Sequence, residues 1–216
     1  MFDIDPGQIL LQYACLLFSL CFHEAAHAFM ADRCGDPSAR LMGRISMNPL
    51  AHIDPIGTVV MPLLMFVTHI PYLIGWAKPV PFNPRNLRDI RLDPVKIALA
   101  GPVSNLLLAV IGMVLLRGAV LVMGPDHILD SNIILDIAFT FIMMNIVLMV
   151  FNLLPIPPLD GHYVLHYFLP AGGQRVLEQI GPFGIIIVLV LVQKSGIIGV
   201  PVEYLLIGVQ RFVFWV

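Results

Sequence analysis

Residues 9–30, ILLQYACLLFSLCFHEAAHAFM, decide the fold and raise the functional question together. The run is apolar enough to sit in lipid, yet it carries His23, Glu24 and His27 near its end. A membrane span needs roughly 20 mostly apolar residues. An ionisable group near the bilayer centre costs roughly 2.5–3.5 kcal/mol on insertion scales, so three of them in one span need a shared partner. On a helix, positions i and i+4 lie on one face, which lets His23 and His27 offer two imidazole nitrogens to one cation. Glu24 sits about one hundred degrees further round. This is the HExxH arrangement: two zinc ligands and a carboxylate placed to act as general base.

Composition places that helix among others like it. The chain has 216 residues, 58% hydrophobic and 12% charged, with a mean hydropathy of +0.89. Soluble domains run nearer 45–50% apolar and about 25% charged. The expectation is an all-α polytopic membrane protein whose core is made by helices packing in the lipid bilayer, with residues 1–216 forming a single integral-membrane domain. No acidic or basic tail suggests a nucleic-acid partner. Cys15, Cys21 and Cys34 include no CxxC pair and read as small apolar residues. The opening MFDIDPGQ lacks the positive region of a cleavable signal, so the first apolar run is taken as mature structure.

Apolar runs at 8–30, 96–120, 132–155, 180–194 and 197–215 predict about five to six transmembrane helices once 55–75 is considered. That last stretch is long enough to span, but Pro62 and Pro71 interrupt it. Basic residues bear on it. Arg33, Arg40 and Arg44 precede it, and Lys78, Arg85, Arg88, Arg91 and Lys96 follow it. Positive loops stay cytoplasmic, so a single crossing would put these two groups on opposite faces. A re-entrant segment at 55–75 keeps both on one face and is the expectation. Residue 27 and the loop after residue 152 then share the cytoplasmic side.

A catalytic zinc usually has three protein ligands, and the helix supplies two. Asp160, in NLLPIPPLDG (152–161), is the only acidic residue between Asp136 and Glu178. It follows Pro155, Pro157 and Pro158, which prevent a regular helix there. It is either the third ligand or an ordinary aspartate capping the helix that begins near residue 160.

HEAAH, GPVSN (101–105) and NLLPIPPLDG together resemble the site-2 protease family of intramembrane zinc metalloproteases. GRISMNPLAHIDPIG (43–57) and GWAKPVPFNPRNLR (75–88) are similar to its compact bacterial branch, which lacks PDZ domains. The resemblance covers most of the chain up to about residue 165 and is silent beyond 170. It implies one zinc per chain held by His23, His27 and Asp160, with Glu24 as the base. It also implies catalytic roles for Asn105 and Asn152, in seating the scissile peptide or stabilising an oxyanion, and for His52, which either stabilises the tetrahedral intermediate or simply caps a turn. Helix–helix hydrogen bonding is the plainer role for the two asparagines. A small β-hairpin at 38–48 would offer an edge for an unwound substrate. His162, close to Asp160, is an alternative ligand, though the family pattern uses neither it nor His166; His69 has no assigned role. The implied function is zinc-dependent cleavage of transmembrane segments in membrane-protein substrates, in a bacterial inner membrane, with a separate regulatory membrane protein as a possible partner. The rival classes are a zinc or cation transporter, which would spread polar residues through the depth of several helices, and a catalytically silent binding module.

Overall fold

The computed structural model describes residues 6–67, 75–124 and 132–214. Nine α-helices are found among them: α1 (Pro6–Arg33), α2 (Ser38–Leu41), α3 (Met61–Val67), α4 (Asp93–Met123), α5 (Asn132–Asn152), α6 (Gly161–Phe168), α7 (Ala171–Ile180), α8 (Gly184–Ser195) and α9 (Gly199–Phe214). Four helical runs are long and apolar enough to cross a membrane: Gly7–Arg33, Asp93–Met123, Ile133–Asn152 and Ala171–Leu191. The last joins α7 to α8 through a 3-10 turn at Gly181–Phe183. The expected five to six spans are therefore four among the described residues. The 16 residues of α9 cover about 24 Å at 1.5 Å each, short of a hydrocarbon core of about 30 Å. His69, to which no role was assigned, lies outside the described residues.

The centre of the fold is an antiparallel packing of α1, α4 and α5. His27 lies against Ile97 and His23 against Asn105, so α1 and α4 run in opposite directions. Asn105 meets Asn145 and Gly112 faces Ile142, which makes α4 and α5 antiparallel as well. The buried face of α4 reads Ile97, Gly101, Asn105, Leu108, Gly112, Leu116, Val120, a three-to-four residue stripe along one side. Leu106, Leu107, Ile111, Val114 and Leu115 point outward and are exposed, as lipid contact requires. The far half of α4 packs Ala109, Leu116 and Val120 against Ile142 and Ile146 of α5 and Val202, Val209 and Val213 of α9.

Where α1 ends, the chain turns through a left-handed Gly35 (φ 108°). The Asp36 amide donates to Ala31 O and the Gly35 amide to Asp32 O, the paired bonds that close a helix C-terminus on glycine. The buried Asp36 carboxylate then accepts from Ser38 N and Oγ, from Asn83 N (2.6 Å) and from Asn86 Nδ2 (2.8 Å). That hub straps the irregular 77–87 stretch across the end of α1.

The 55–75 region has its two ends joined. Trp76 N donates to Gly57 O (3.3 Å), Thr58 Oγ1 donates to Trp76 O (2.9 Å), and Lys78 N donates to His52 O (2.8 Å). A single crossing would separate those ends by about 30 Å; here residues 57–58 and 76 are in contact, and residues 68–74 of the expected re-entrant segment lie outside the described residues. Pro55–Val60 forms a π-helical turn that continues into α3. No β-hairpin forms at 38–48. The turn of α2 occupies its first half, and residues 42–48 contain no strand. Asp36 fixes the start of that turn through both Ser38 donors, which favours helix over an extended edge.

Candidate metal centre

Two turns before α1 ends, His23 and His27 stack edge-on with ring centroids 4.5 Å apart. Both are buried. Each ring has one nitrogen occupied by a neighbour. His27 Nδ1 lies 2.7 Å from Ile97 O, a carbonyl that can only accept, so Nδ1 carries the proton. His23 Nδ1 lies 2.6 Å from Asn105 Oδ1. In the neutral rings this leaves both Nε2 lone pairs free, and they face each other at 3.0 Å.

Asp160 completes the group. The proline-broken loop after α5 carries it back over the pair, with Oδ2 3.2 Å from His23 Nε2 and 3.4 Å from His27 Nε2. It stands at the N-cap position of α6 but makes no side-chain capping bond. Its buried Oδ2 has no hydrogen-bond partner. Two imidazole lone pairs and a carboxylate oxygen therefore converge, with ligand atoms all within 4.8 Å of one another. Three acceptors pointed at each other in a largely buried site repel unless a cation lies between them. A His2Asp set is also a donor combination that suits zinc, so the residues present fit such an ion.

The backbone of α4 makes room for the group. A Cβ on Gly101 would sit 2.4 Å from His27 Nε2 and 2.5 Å from His23 Cε1, so only hydrogen fits there. The Pro-broken loop is held from the other side by a cluster of Leu154, Leu159 and Val188, which ties it to α8.

Glu24 is buried beside the pair, and its Oε2 accepts from Val80 N at 3.1 Å. Pro79 and Pro81 have no amide hydrogens, so Val80 is the one donor of that tripeptide.

The other expected residues are placed as follows. Asn105 is buried at the site but its amide is committed on both sides, to His23 and to Asn145 Oδ1 at 3.0 Å. Asn152 Nδ2 donates back to Leu148 O of its own helix (3.0 Å). His52 is buried, with Nε2 2.8 Å from Ser46 O, and borders a void of about 10 Å³ beside Cys21 and Thr58. His162 Nδ1 lies 2.6 Å from Leu159 O, and His166 reaches Glu178 at 3.8 Å; neither is among the three grouped side chains. Residues 45–47 flank a groove of about 290 Å³ along Phe22, Ala25, Ala26 and Phe29 of α1. By helical periodicity that face points roughly opposite to Glu24, so the groove is turned away from the base. Sequence reasoning missed Gly101, Val80 and Asn145. Only the last carried a signal, a lone amide inside FIMMNIVLMVF.

Known proteins bear on this group. Residues 117–192, which include Asp160, match peptidase family M50. The chain is 40% identical over 177 residues to "Putative zinc metalloprotease YwhC" of Bacillus subtilis (strain 168), covering 82% of this chain and 77% of that protein. The chain belongs to peptidase family M50. Proteins with the same description, called Rip2, are 33% identical to this M50 chain over 185 residues in Mycolicibacterium smegmatis and over 187 in Mycobacterium tuberculosis. Each alignment covers 86% of this chain and 67% of the relative. No solved structure matches it. The M50 chain is thus an integral membrane protein of the site-2 protease type, with His23, His27 and Asp160 grouped as a metal-binding candidate near the C-terminal end of its first span.

Proposed function

We propose that the protein is an intramembrane endopeptidase that uses one zinc ion, held by His23, His27 and Asp160, to cleave transmembrane segments of membrane-protein substrates. The observation that carries the reading is the buried, unpartnered Asp160 Oδ2 facing two imidazole Nε2 atoms. Zinc bound there would supply Lewis-acid polarisation of the scissile carbonyl and a lowered pKa for water.

The chain's own residues do the rest. Val80 N–H holds Glu24 Oε2 and leaves Oε1 as the base. Glu24 Oε1 takes a proton from the attacking water and returns it to the leaving amine. Ile97 O and Asn105 Oδ1 keep each imidazole in the tautomer that presents Nε2. A substrate helix hides its carbonyls in hydrogen bonds, so cleavage requires local unwinding before attack.

Orientation follows from charge. Arg33 ends α1, Arg88 N donates to Cys34 O beside it, and Lys96 lies in the first turn of α4. These positive charges at the site's end of the bundle support an orientation in which the site faces the cytoplasm of a bacterial inner membrane. The decisive experiment incubates purified protein with a model transmembrane substrate, comparing wild type with Glu24→Gln at equal zinc content. Loss of cleavage with zinc retained is expected. Cleavage by the variant at the wild-type rate would overturn the mechanism, and zinc flux into liposomes without cleavage would point to transport.

A further inference from the structure

Asn145 lies on α5 and is 0% exposed, as is Asn105. Its bonds have a direction. Asn145 Nδ2 donates to Phe141 O at 2.9 Å, and a backbone carbonyl can only accept. That contact fixes which end of the Asn145 amide is oxygen, so Oδ1 faces α4. Asn105 must then turn its Nδ2 toward Asn145 (3.0 Å), which leaves Asn105 Oδ1 facing His23 Nδ1 (2.6 Å). An amide oxygen there requires the proton on Nδ1 and the lone pair on Nε2. A lone asparagine between apolar helices would serve as glue in either amide orientation; here the orientation is propagated from a helix backbone to one imidazole.

We propose that Asn145 is a positioning residue for the metal centre, setting the His23 tautomer through Asn105. This rests on the reading of His23 as a metal ligand. His27 needs no such relay, because its Nδ1 meets a carbonyl directly. The protein thus fixes one ligand by its backbone and the other by a two-amide chain crossing three helices.

The test uses full-length protein in nanodiscs with 15N-labelled histidine, as wild type, Asn145→Leu, Asn145→Val, Asn145→Thr and Ile146→Ala. The threonine hydroxyl can donate to Phe141 O and still accept from Asn105, whereas valine has the same shape without the hydroxyl. Two quantities are read: the His23 tautomer in metal-free protein, assigned by its loss in His23→Gln, and zinc affinity by chelator competition. The leucine and valine variants are expected to populate Nε2–H on His23 and to weaken zinc binding about tenfold. The threonine variant is expected to track wild type. Ile146→Ala, which only loosens packing, is expected to move neither quantity. If the leucine variant fails to fold, the threonine–valine pair carries the comparison. A His23 that keeps its proton on Nδ1 in Asn145→Val, with zinc affinity unchanged, overturns the relay. Absence of zinc binding by wild type would instead sink the metal reading, and the tautomer comparison would still decide the role of Asn145.

Discussion

The two halves of α4 do different work on the same helix face. Its first half, from Ile97 to Asn105, lies against two imidazoles with a bare glycine, a backbone carbonyl and one amide. Its second half, from Ala109 to Val120, lies against α5 and α9 with aliphatic side chains. The first contact is polar, directional and intolerant of a single added carbon. The second is an apolar interface whose partners can shift by small rotamer changes. One face of one helix therefore both positions the chemistry and holds the bundle, and substitutions in the two halves should fail in different ways.

The largest effect is expected at the residue that closes the polar half. Asp160→Asn keeps the shape of the side chain but removes the charge that two Nε2 atoms face. Zinc affinity should fall by at least about 100-fold, the loss usual for outer-shell changes serving as a floor. The amide can also donate to one Nε2, so metal-free protein should melt higher than metal-free wild type, by about 1 kcal/mol for one buried hydrogen bond. Calorimetry or thermal denaturation with and without chelator separates the two signs. A variant that binds zinc like wild type would break the claim that this half is built around a cation.

Gly101→Ala comes next. Its Cβ would sit 2.4 Å from His27 Nε2, so α4 or the imidazole must move. Zinc affinity and cleavage should each drop about 10–100-fold, as for other changes that misorient a ligand. Metal analysis of the purified variant checks this, with circular dichroism to establish that the helices remain.

Much of this was legible in the sequence, for reasons specific to each part. HEAAH was readable because a helix fixes i and i+4 on one face, so spacing alone states geometry. Asp160 was readable because acidic residues are scarce there and cost energy in lipid. The contact between the two ends of the 55–75 segment accords with where the arginines and lysines fall. Other features depend on long-range packing that no local pattern encodes. Gly101 looks like any glycine in GPVSN until the imidazoles are placed against it. Asn145 hides in a run of methionine, isoleucine and valine. The 38–48 stretch, expected to hold a small β-hairpin, was missed for a local reason: Asp36 accepts from Ser38 two residues on and favours a helical turn over strand propensity. The fourth span is assembled from two helices and a 3-10 turn, so a hydropathy window near 180–194 found only its second half.

A smaller effect is expected where the strap meets α1. Burial alone would raise the Asp36 pKa, but hydrogen bonds from Asn86, Ser38 and Asn83 outweigh it and hold the carboxyl below its ordinary value. A depressed folded-state pKa contributes stability above the unfolded value, and that contribution is lost as pH falls through the folded one. The wild type should therefore lose part of its stability below about pH 4. Asp36→Asn should cost about 1–3 kcal/mol at pH 7 and flatten that acid slope. Melting curves across pH 3–7 in a non-ionic detergent measure both. An unchanged slope would show that the strap is held by something other than this carboxylate.

The smallest effect belongs to the apolar half and is the sharpest control on Gly101→Ala. Gly112 lies about three turns further along the same stripe. A Cβ there would come within 3.0 Å of Ile142 Cγ1 and 3.1 Å of Phe141 Cδ1, close contacts with side-chain atoms rather than with a metal ligand. Gly112→Ala adds one carbon to an apolar interface and removes a helix-weakening glycine worth about 1 kcal/mol. Overpacking of about 1–3 kcal/mol opposes that gain, so the net change in stability should be small. Cleavage and zinc affinity should stay within about twofold of wild type, because packing changes distant from the ligands add independently. If this alanine lowered zinc affinity as far as Gly101→Ala does, the division of α4 would fail, and the helix would transmit packing strain along its length to the metal centre.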